Sequence, residues 1–229
     1  MNQQINYDEC REAWLRQIDA HSTALFHYLD EKHAYLVAEM QSLKFHIFEQ
    51  NEMLFSILSF MERLAHIDLR TLKDLKDIEL TKWIAEKAEW PQWAAETLWV
   101  CLRHNLMHYG ETVTTFSSVR KGIKVMDPNT SKTINVDCHA SIFLNSDMDT
   151  YNPEFPELSF DGFNWVIGPQ DFNKLIGKNK HTIEITFQYP GLRRVLEKIA
   201  NKVTEGIRQA NQSELDKLIK INKLLLFHF

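Results

Sequence analysis

The chain has 229 residues, of which 44% are hydrophobic and 25% charged, a balance that provides a buried core and excludes extended disorder and collagen. Its formal net charge of -5 argues against broad binding of duplex nucleic acid, which depends on many Lys and Arg contacts to phosphate. Only 7 glycines and 6 prolines occur, and this scarcity favours long helices over a turn-rich sheet protein.

Neither the cysteines nor the apolar runs indicate an extracellular or membrane protein. Cys10, Cys101 and Cys138 form no C-x-x-C pair, so the sequence predicts neither a disulfide framework nor a cysteine zinc site. The first residues lack a basic segment followed by an apolar one, and no apolar run approaches the roughly 18 residues of a membrane span. We therefore expect a cytoplasmic protein with no membrane contact.

Apolar residues recur at helical spacing through the first half of the chain. Trp14, Ile18, Leu25 and Leu29 predict a first amphipathic helix. The polar stretch 30–32 either joins this helix to the next one or is continuous with both. A second pattern alternates steps of four and three, as in a coiled-coil seam. Its members are Leu36, Met40, Leu43, Ile47, Leu54, Ile57, Met61 and Leu64. The sequence thus predicts a long helical hairpin whose seam either forms a dimerisation surface or packs inside its own bundle.

Two further helices are predicted before residue 110. Residues 71–89 carry dense alternating charge, which predicts a solvated surface helix. Trp90-Pro91 breaks this pattern, and because proline suits the first position of a helix, a new helix is predicted over about 91–109. Gly110 is a favoured left-handed C-cap and is expected to end that helix.

After Gly110, β-branched residues and turn signals replace the helical pattern. Strands are predicted at 113–116, 122–125, 133–136, 141–144, 163–167 and 182–187, with a turn at 127–130. The acidic, proline-containing range 145–161 is predicted to be an exposed loop. Pro190-Gly191 opens a last helical region, and the apolar residues 224–229 are expected to pack back onto the body or onto a partner.

The chemistry-bearing side chains gather in one predicted helix end, where Arg103, His104, Asn105 and His108 occur within six residues. Arginine binds phosphate oxygens and histidine carries protons at neutral pH, so the combination suits phosphodiester chemistry. On an ideal helix, with about 100° per residue, Arg103 and His108 lie about 140° apart around the axis. A loosened last turn, or a second copy of the helix across a dimer axis, would bring them together.

Arg103, four intervening residues and His108, followed by Tyr109-Gly110, resemble the R-x(4–6)-H motif of HEPN domains. The resemblance implies a mainly α fold, namely a bundle of four or five helices that is often dimeric, with the Arg and His of both subunits lining a cleft. Many HEPN domains are metal-independent endoribonucleases of toxin–antitoxin and other defence systems. The family commonly has Asn directly after the Arg, whereas this chain has His104 there and Asn105 one place later.

This resemblance divides the chain into three parts. Residues 1–110 correspond to the HEPN-like bundle with its long N-terminal hairpin, and the motif helix occupies about 91–109. Residues 190–229 form a C-terminal helical region that packs back on the bundle. Residues 111–189 form a small β-hairpin-rich insert, which the minimal bundle lacks.

The resemblance implies a reaction that needs neither metal nor cofactor. His108 would act as general base on a ribose 2′-hydroxyl or as acid on the leaving 5′-oxygen, and Arg103 would stabilise the phosphate charge. His104 would supply a second proton-transfer group, and Asn105 would support the site. The basic residues Arg120, Lys121, Lys124 and Lys132 either hold the RNA backbone or form a solvated strand edge.

Two rival interpretations belong to other classes of protein. In a non-catalytic, HEPN-like dimeric interaction module, Arg103 and His108 would stabilise the dimer interface, and the insert would dock a partner. The plain structural alternative for the motif is that the two residues cap the helix end, where the helix dipole favours basic groups. In a metal protein, His104 and His108 would be two ligands at i, i+4, although Asn105 replaces the Glu of H-E-x-x-H. The leading prediction is a homodimer that acts on RNA, with an antitoxin or another protein as a further partner.

Overall fold

The structure of the protein is a computed structural model, and it describes residues 6–40, 47–71, 73–99, 118–126, 131–144, 147, 159–160, 163–168 and 181–225. The helices in these ranges are α1 (Tyr7–Met40), α2 (Ile47–Asp68), α3 (Asp77–Ala88), α4 (Gln92–Glu96), α5 (Tyr189–Arg208) and α6 (Gln212–Leu225). The strands are β1 (Ser118–Met126), β2 (Thr133–Phe143), β3 (Ser159–Phe160), β4 (Phe163–Gly168) and β5 (His181–Gln188). The described part of the chain is mainly helical, as the composition predicts.

The first helix is a single rod of 34 residues. Its N-terminus is capped by Asn6, whose side-chain oxygen accepts a hydrogen bond from the backbone N–H of Glu9 at 3.3 Å. The polar stretch 30–32 lies inside the helix, so α1 is continuous through it. At 1.5 Å per residue, α1 is about 51 Å long, and it is the longest helix among the described residues.

The predicted seam is divided between two helices, because α1 ends at Met40 and α2 begins at Ile47. Leu36 on α1 and Leu54, Ile57, Met61 and Leu64 on α2 are each at most 2% exposed within a single chain. The described part of the seam therefore packs inside its own bundle, as the second of the two alternatives predicts, and does not form a dimerisation surface. Leu43 and the side chains of Met40 and Ile47 lie outside the described residues.

The surface helix predicted over 71–89 is shorter than expected, and it has a buried face as well as a solvated one. Helix α3 begins only at Asp77, and Leu80, Trp83 and Ile84 are buried where α3 packs against α2 and α5. The dense charges occupy the opposite face, so the helix is amphipathic. Its start is stabilised by Glu79, whose carboxylate accepts a hydrogen bond from the Lys76 backbone N–H at 3.1 Å.

The helix predicted after Trp90 starts one residue later than expected, since Pro91 with ψ 143° is its N-cap and α4 begins at Gln92. The helical path continues beyond α4 through residues 97–99 in a wider, π-helical turn. The rest of the predicted helix, up to about Tyr109, lies outside the described residues, as does Gly110.

The strands form one sheet in the order β1-β2-β5-β4-β3. Strand β2 pairs with β1 in antiparallel and with β5 in parallel orientation, and β4 pairs in antiparallel orientation with both β5 and β3. All the strands predicted from 122 onward fall on β1, β2, β4 or β5. The exposed loop predicted over 145–161 is wrong at its end, because Ser159–Phe160 forms β3 beside β4. The predicted strand 113–116 and turn 127–130 lie outside the described residues.

Strand β5 runs directly into α5 and attaches the sheet to the helices. Ile185 and Phe187 are fully buried. The centroid of the Phe187 ring lies 5.8 Å from that of Trp90, a residue of the connection between α3 and α4. Helix α5 buries all the apolar residues that predict it, namely Leu192, Val195, Leu196, Ile199 and Val203.

Helix α6 closes the bundle against the start of α1. It begins with a capping box, in which the Asn211 side chain accepts from the Glu214 N–H at 3.1 Å and the Glu214 carboxylate accepts from the Asn211 N–H at 2.8 Å. The Tyr7 hydroxyl donates to Asp216 at 3.1 Å. Residues 226–229, part of the predicted packing tail, lie outside the described residues. None of the described helices has the length and apolar character needed to cross a membrane.

Candidate functional site

The four predicted catalytic residues, Arg103, His104, Asn105 and His108, lie in the range 100–117, outside the described residues. Their roles stay predictions. The described chain ends before this range at Trp99, four residues before Arg103. The geometry around Trp99 is therefore the nearest structural constraint on the motif.

We call residues 92–99 the entry segment, because they lead into the range that contains the motif. Thr97, Leu98 and Trp99 are buried in the core, and the Thr97 hydroxyl donates to the Trp93 carbonyl at 2.7 Å. At its start, the Gln92 side-chain amide donates to the Thr81 hydroxyl of α3 at 3.2 Å. The entry segment is thus packed against α3 along its length.

A hydrogen bond joins the end of the entry segment to the beginning of α3. The indole Nε1–H of Trp99 donates to Asp77 Oδ1 at 2.9 Å, and Trp99 is 1% exposed. A buried indole N–H needs an acceptor, and an ionised carboxylate is a strong one. Asp77 is itself exposed and is the first residue of α3, where the helix dipole favours a negative charge. The sequence gives no signal for this pair, because the two residues lie on different helical segments.

A second indole–carboxylate pair holds α3 to the end of α2. The Trp83 Nε1–H donates to Asp68 Oδ2 at 2.8 Å, and the Lys87 ammonium lies 2.8 Å from the same oxygen. The side chains of Asp68 and Lys87 are only 13% and 19% exposed. This carboxylate is sheltered, and its charge is compensated inside the fold.

Arg70 extends this joint to the C-terminal helices. Its guanidinium donates to the backbone carbonyl of Asp68 and, at 3.4 Å, to that of Gly206 on α5. It also lies 3.8 Å from the Glu214 carboxylate at the start of α6. A Cβ atom added at Gly206 would lie 3.4 Å from Asp68 Oδ1, at van der Waals contact with the carboxylate. Four helices therefore meet at this point.

The structure also brings together a cluster of Asp30, His33, Tyr189 and Arg193 that the sequence analysis missed. The Tyr189 hydroxyl donates to Asp30 Oδ1 at 2.6 Å, and Arg193 Nε lies 3.3 Å from the same oxygen. The His33 ring stacks on Tyr189 with centroids 4.3 Å apart. No local motif could reveal this cluster, because 159 residues separate Asp30 from Tyr189.

The protonation of Tyr189 decides what this cluster can do chemically. Burial, followed by the hydrogen bond to Asp30, raises the pKa of Tyr189 above its ordinary value. The phenol therefore stays protonated at neutral pH and cannot act as a base. The Arg193 guanidinium also stacks over the Phe26 ring at 3.7 Å. These contacts fasten α1 to α5, and they explain the cluster as a structural joint.

The two described grooves do not select a class of ligand. One, of about 700 Å³, lies between α1 and α5, where Glu12, Arg16, Glu197 and Arg208 mix both signs of charge. The other, of about 540 Å³, runs along α3 over Trp83 between lysines and carboxylates.

The basic residues considered for RNA binding lie at the edge of the sheet. Arg120, Lys121 and Lys124 belong to β1, the outermost strand on one side, and Lys132 precedes β2. The side chains of Lys124 and Lys132 are exposed. Exposed side chains suit both a solvated strand edge and a surface that holds the RNA backbone, so the RNA-binding role of these residues stays a prediction.

The described histidines include two with structural hydrogen bonds. The Nδ1–H of His66 donates to the Thr71 carbonyl at 3.1 Å, and that of His21 donates to the Gln17 carbonyl at 2.8 Å. Within the described ranges, no group of three or more His, Cys, Asp or Glu side chains is arranged to hold a metal ion. His104 and His108, the ligands of the metal interpretation, lie outside those ranges.

The chain matches no protein-family model, no curated protein sequence and no solved structure. The likeness to HEPN domains therefore rests on the sequence motif and its position after a run of helices.

Proposed function

We propose that this protein is a HEPN-like, metal-independent endoribonuclease of a toxin or defence type, which acts as a homodimer on single-stranded or looped RNA. The observation that carries the proposal is the Arg103-x4-His108 motif, four residues after the core-anchored Trp99. The mainly helical architecture supports it, because it agrees with the class of fold that the resemblance implies.

The proposed reaction is transesterification within the RNA chain. His108 takes the proton of a ribose 2′-hydroxyl, and the 2′-oxygen forms a bond to the adjacent phosphorus. The bond from phosphorus to the 5′-oxygen breaks, and His104 or the histidine of the second subunit donates a proton to that oxygen. Arg103 binds the phosphate oxygens as negative charge develops on them. The products are a 2′,3′-cyclic phosphate and a free 5′-hydroxyl.

Cleavage of labelled single-stranded RNA in excess EDTA tests this proposal. We expect wild-type protein to produce fragments that end in cyclic phosphate. His108→Ala and Arg103→Ala should each slow cleavage by about 10²–10⁴-fold, because each removes a group that acts in the transition state. The matched control is His27→Ala, which removes an exposed histidine that is paired only with Glu31 of its own helix among the described contacts.

Two outcomes of this experiment would contradict the proposal. Equal cleavage by wild type and both folded motif variants would assign the activity to other residues or to a contaminant. Absence of cleavage across RNAs of varied sequence, with all proteins folded, would favour the interaction module described next.

A second candidate function, a non-catalytic interaction module, is favoured by exposed aromatic residues on the hairpin of α1 and α2. Phe48 is 77% exposed and Phe55 is 48% exposed, and their i, i+7 spacing places them on one face of α2. Tyr35 on α1 is 45% exposed, and the Lys32–Glu52 ion pair at 3.3 Å joins the two helices. Exposed aromatic side chains of this kind are typical of binding surfaces.

The double variant Phe48→Ser/Phe55→Ser tests the module by sedimentation velocity over a range of protein concentrations. Burying a phenylalanine contributes about 2 kcal/mol, so the dimer Kd should rise at least about 100-fold if these residues form the interface. The control Ser59→Ala changes an exposed polar residue of α2. Unchanged self-association in the double variant would remove this surface as the interface.

A further inference from the structure

The outer side of the hairpin of α1 and α2 carries the same spacing of side chains on both helices. Six residues, three on each helix, follow one another in steps of four and then three. They are Tyr28, Lys32 and Tyr35 on α1 and Phe48, Glu52 and Phe55 on α2. At about 100° per residue, each set falls within about 60° around its helix, and a stripe of this spacing is typical of a surface that packs on another helix. We call these six residues the hairpin face.

Two contacts fix the antiparallel register of the hairpin. The Lys32 ammonium lies 3.3 Å from the Glu52 carboxylate. The ring centroids of Phe26 and Phe60 lie 6.1 Å apart in an edge-to-face arrangement. Because the helices run in opposite directions and the two stripes have the same spacing, both stripes turn toward the same side of the hairpin.

The hairpin face is ordered in three layers along the helices. With a rise of about 1.5 Å per residue, the register places one aromatic residue of each helix at the same level on either side of the ion pair. The layers are Tyr35 with Phe48, Lys32 with Glu52, and Tyr28 with Phe55. Tyr35, Phe48 and Phe55 are exposed in the single chain, and the Lys32 ammonium lies 5.8 Å from the centroid of the half-buried Tyr28 ring. Two aromatic layers therefore flank one layer that holds both signs of charge.

The charged layer identifies the partner that fits this face. Such a partner offers apolar side chains at two levels and, between them, an anion over Lys32 and a cation over Glu52. A second copy of the chain offers all of these when the two-fold axis runs parallel to the helices, because α1 of one copy then packs on α2 of the other. A two-fold axis across the helices would instead place Lys32 on Lys32 of the partner subunit, and like charges repel.

We propose that two copies of this chain pair through their hairpin faces in an antiparallel four-helix bundle, in which Lys32 lies over Glu52 of the partner subunit. Each aromatic layer then packs on the same layer of the other copy. A shift along the helices would bury a charge against aromatic rings, so the ion pairs fix the register. The inference rests on the homodimer of the proposed function, to which it assigns an interface, and it does not require RNA cleavage.

Charge reversal tests this pairing by sedimentation velocity over a range of protein concentrations. Lys32→Glu makes the charged layer wholly negative, and Glu52→Lys makes it wholly positive. Each variant alone should have a homodimer Kd raised at least about tenfold, because like charges then face each other. An equimolar mixture of the two should associate with a Kd within about threefold of the wild-type value, because each charge then faces its opposite.

A matched control uses an ion pair on another surface of the molecule. The Lys198 ammonium on α5 lies 2.6 Å from the Glu89 carboxylate after α3, and both side chains are partly exposed. Lys198→Glu, Glu89→Lys and their mixture should all dimerise like wild type. If they behave like the variants of Lys32 and Glu52, association responds to charge in general, and the proposed pairing is wrong.

The double variant Lys32→Glu/Glu52→Lys keeps an ion pair inside the hairpin, so it tests the pairing even if a single reversal unfolds the chain. It should dimerise with itself like wild type. Mixed with isotope-labelled wild type, it should form no heterodimers in native mass spectrometry, because like charges would meet at both contacts. Free exchange of subunits between the two proteins would overturn the proposal.

The outcomes separate this inference from the ribonuclease proposal. Wild type that stays monomeric at every concentration removes the pairing, as does a wild-type dimer combined with single variants that do not associate when mixed. Wild type that pairs as expected but cleaves no RNA keeps the hairpin interface and removes the nuclease. Cleavage of RNA by a monomer does the reverse.

Discussion

Helix α3 takes part in two hydrogen bonds of the same kind in different surroundings. From the middle of the helix, Trp83 donates to a sheltered Asp68, which Lys87 also contacts at 2.8 Å. At its N-terminus, Trp99 donates to an exposed Asp77 at the start of the helix. Both donors are buried, so the difference lies in the exposure and the partners of the two carboxylates.

This difference shows what a carboxylate requires when it satisfies a buried indole. A sheltered carboxylate loses hydration and needs a counter-charge close by, which Lys87 supplies to Asp68. An exposed carboxylate keeps its hydration, and the N-terminus of α3 adds a favourable dipole for Asp77. The arrangement at Asp68 joins α2 to α3. The arrangement at Asp77 joins the entry segment to α3, and the described contacts of Asp77 include no cation.

The largest test of the comparison replaces each aspartate with alanine. Asp68→Ala leaves the Lys87 ammonium without its partner and the Trp83 N–H without its acceptor, and should lower the free energy of unfolding by about 3 kcal/mol. Asp77→Ala leaves only the Trp99 N–H without its acceptor and should cost about 1–2 kcal/mol. Urea unfolding followed by circular dichroism measures both. Equal losses would mean that Lys87 adds nothing to the Asp68 joint.

A double-mutant cycle sharpens the same point with a smaller effect. Lys87→Met keeps the aliphatic stem but removes the charge, so Lys87→Met and Asp68→Asn should show a coupling energy of about 1 kcal/mol. The control cycle, Lys87→Met with Asp77→Asn, should give a coupling near zero. Similar coupling in both cycles would show that the interaction is not specific to the ion pair.

The smallest effect concerns Glu89, an exposed carboxylate directly after α3. Hydrogen bonds from Lys198 at 2.6 Å and Lys202 at 2.7 Å lower the pKa of Glu89 from 4.5 to about 2. The charged form is favoured by folding, so its contribution is complete above the unfolded pKa and is lost as the pH falls from about 4.5 towards 2. The difference in Tm between wild type and Glu89→Gln should therefore be small at pH 6 and should disappear near pH 2. A constant difference would exclude this origin.

Local patterns predict the elements of this fold better than they predict its packing. Spacing alone indicates α5, because Leu192, Val195, Leu196, Ile199 and Val203 repeat at helical intervals and all are buried. The alternating charges around Ile78 and Lys82 indicate the exposed face of α3. They carry no information about the opposite face, which is buried. The seam did not predict a dimer, because its periodicity specifies that a stripe of side chains is buried. It does not specify whether the same chain or a second copy buries that stripe.

Only those parts of the candidate site whose residues lie close together in the sequence could be predicted. Arg103 and His108 are found from their spacing, whereas Asp77 and Trp99, or Asp30 and Tyr189, meet through tertiary structure and leave no sequence signal. The arrangement of the motif residues themselves stays a prediction, and the cleavage experiment tests their proposed roles.

The contact between Asp30 and Tyr189 has a consequence for synthesis on the ribosome. Helix α1 emerges early, but the residue that fastens it follows 159 positions later. At about 5–20 residues per second, the Asp30 region of α1 waits roughly 8–30 s for α5. During that time α1 and α2 lack α5, the helix that contacts both of them in the finished bundle. The nascent chain should therefore engage a chaperone that shields apolar helices until residues near 208 have left the exit tunnel.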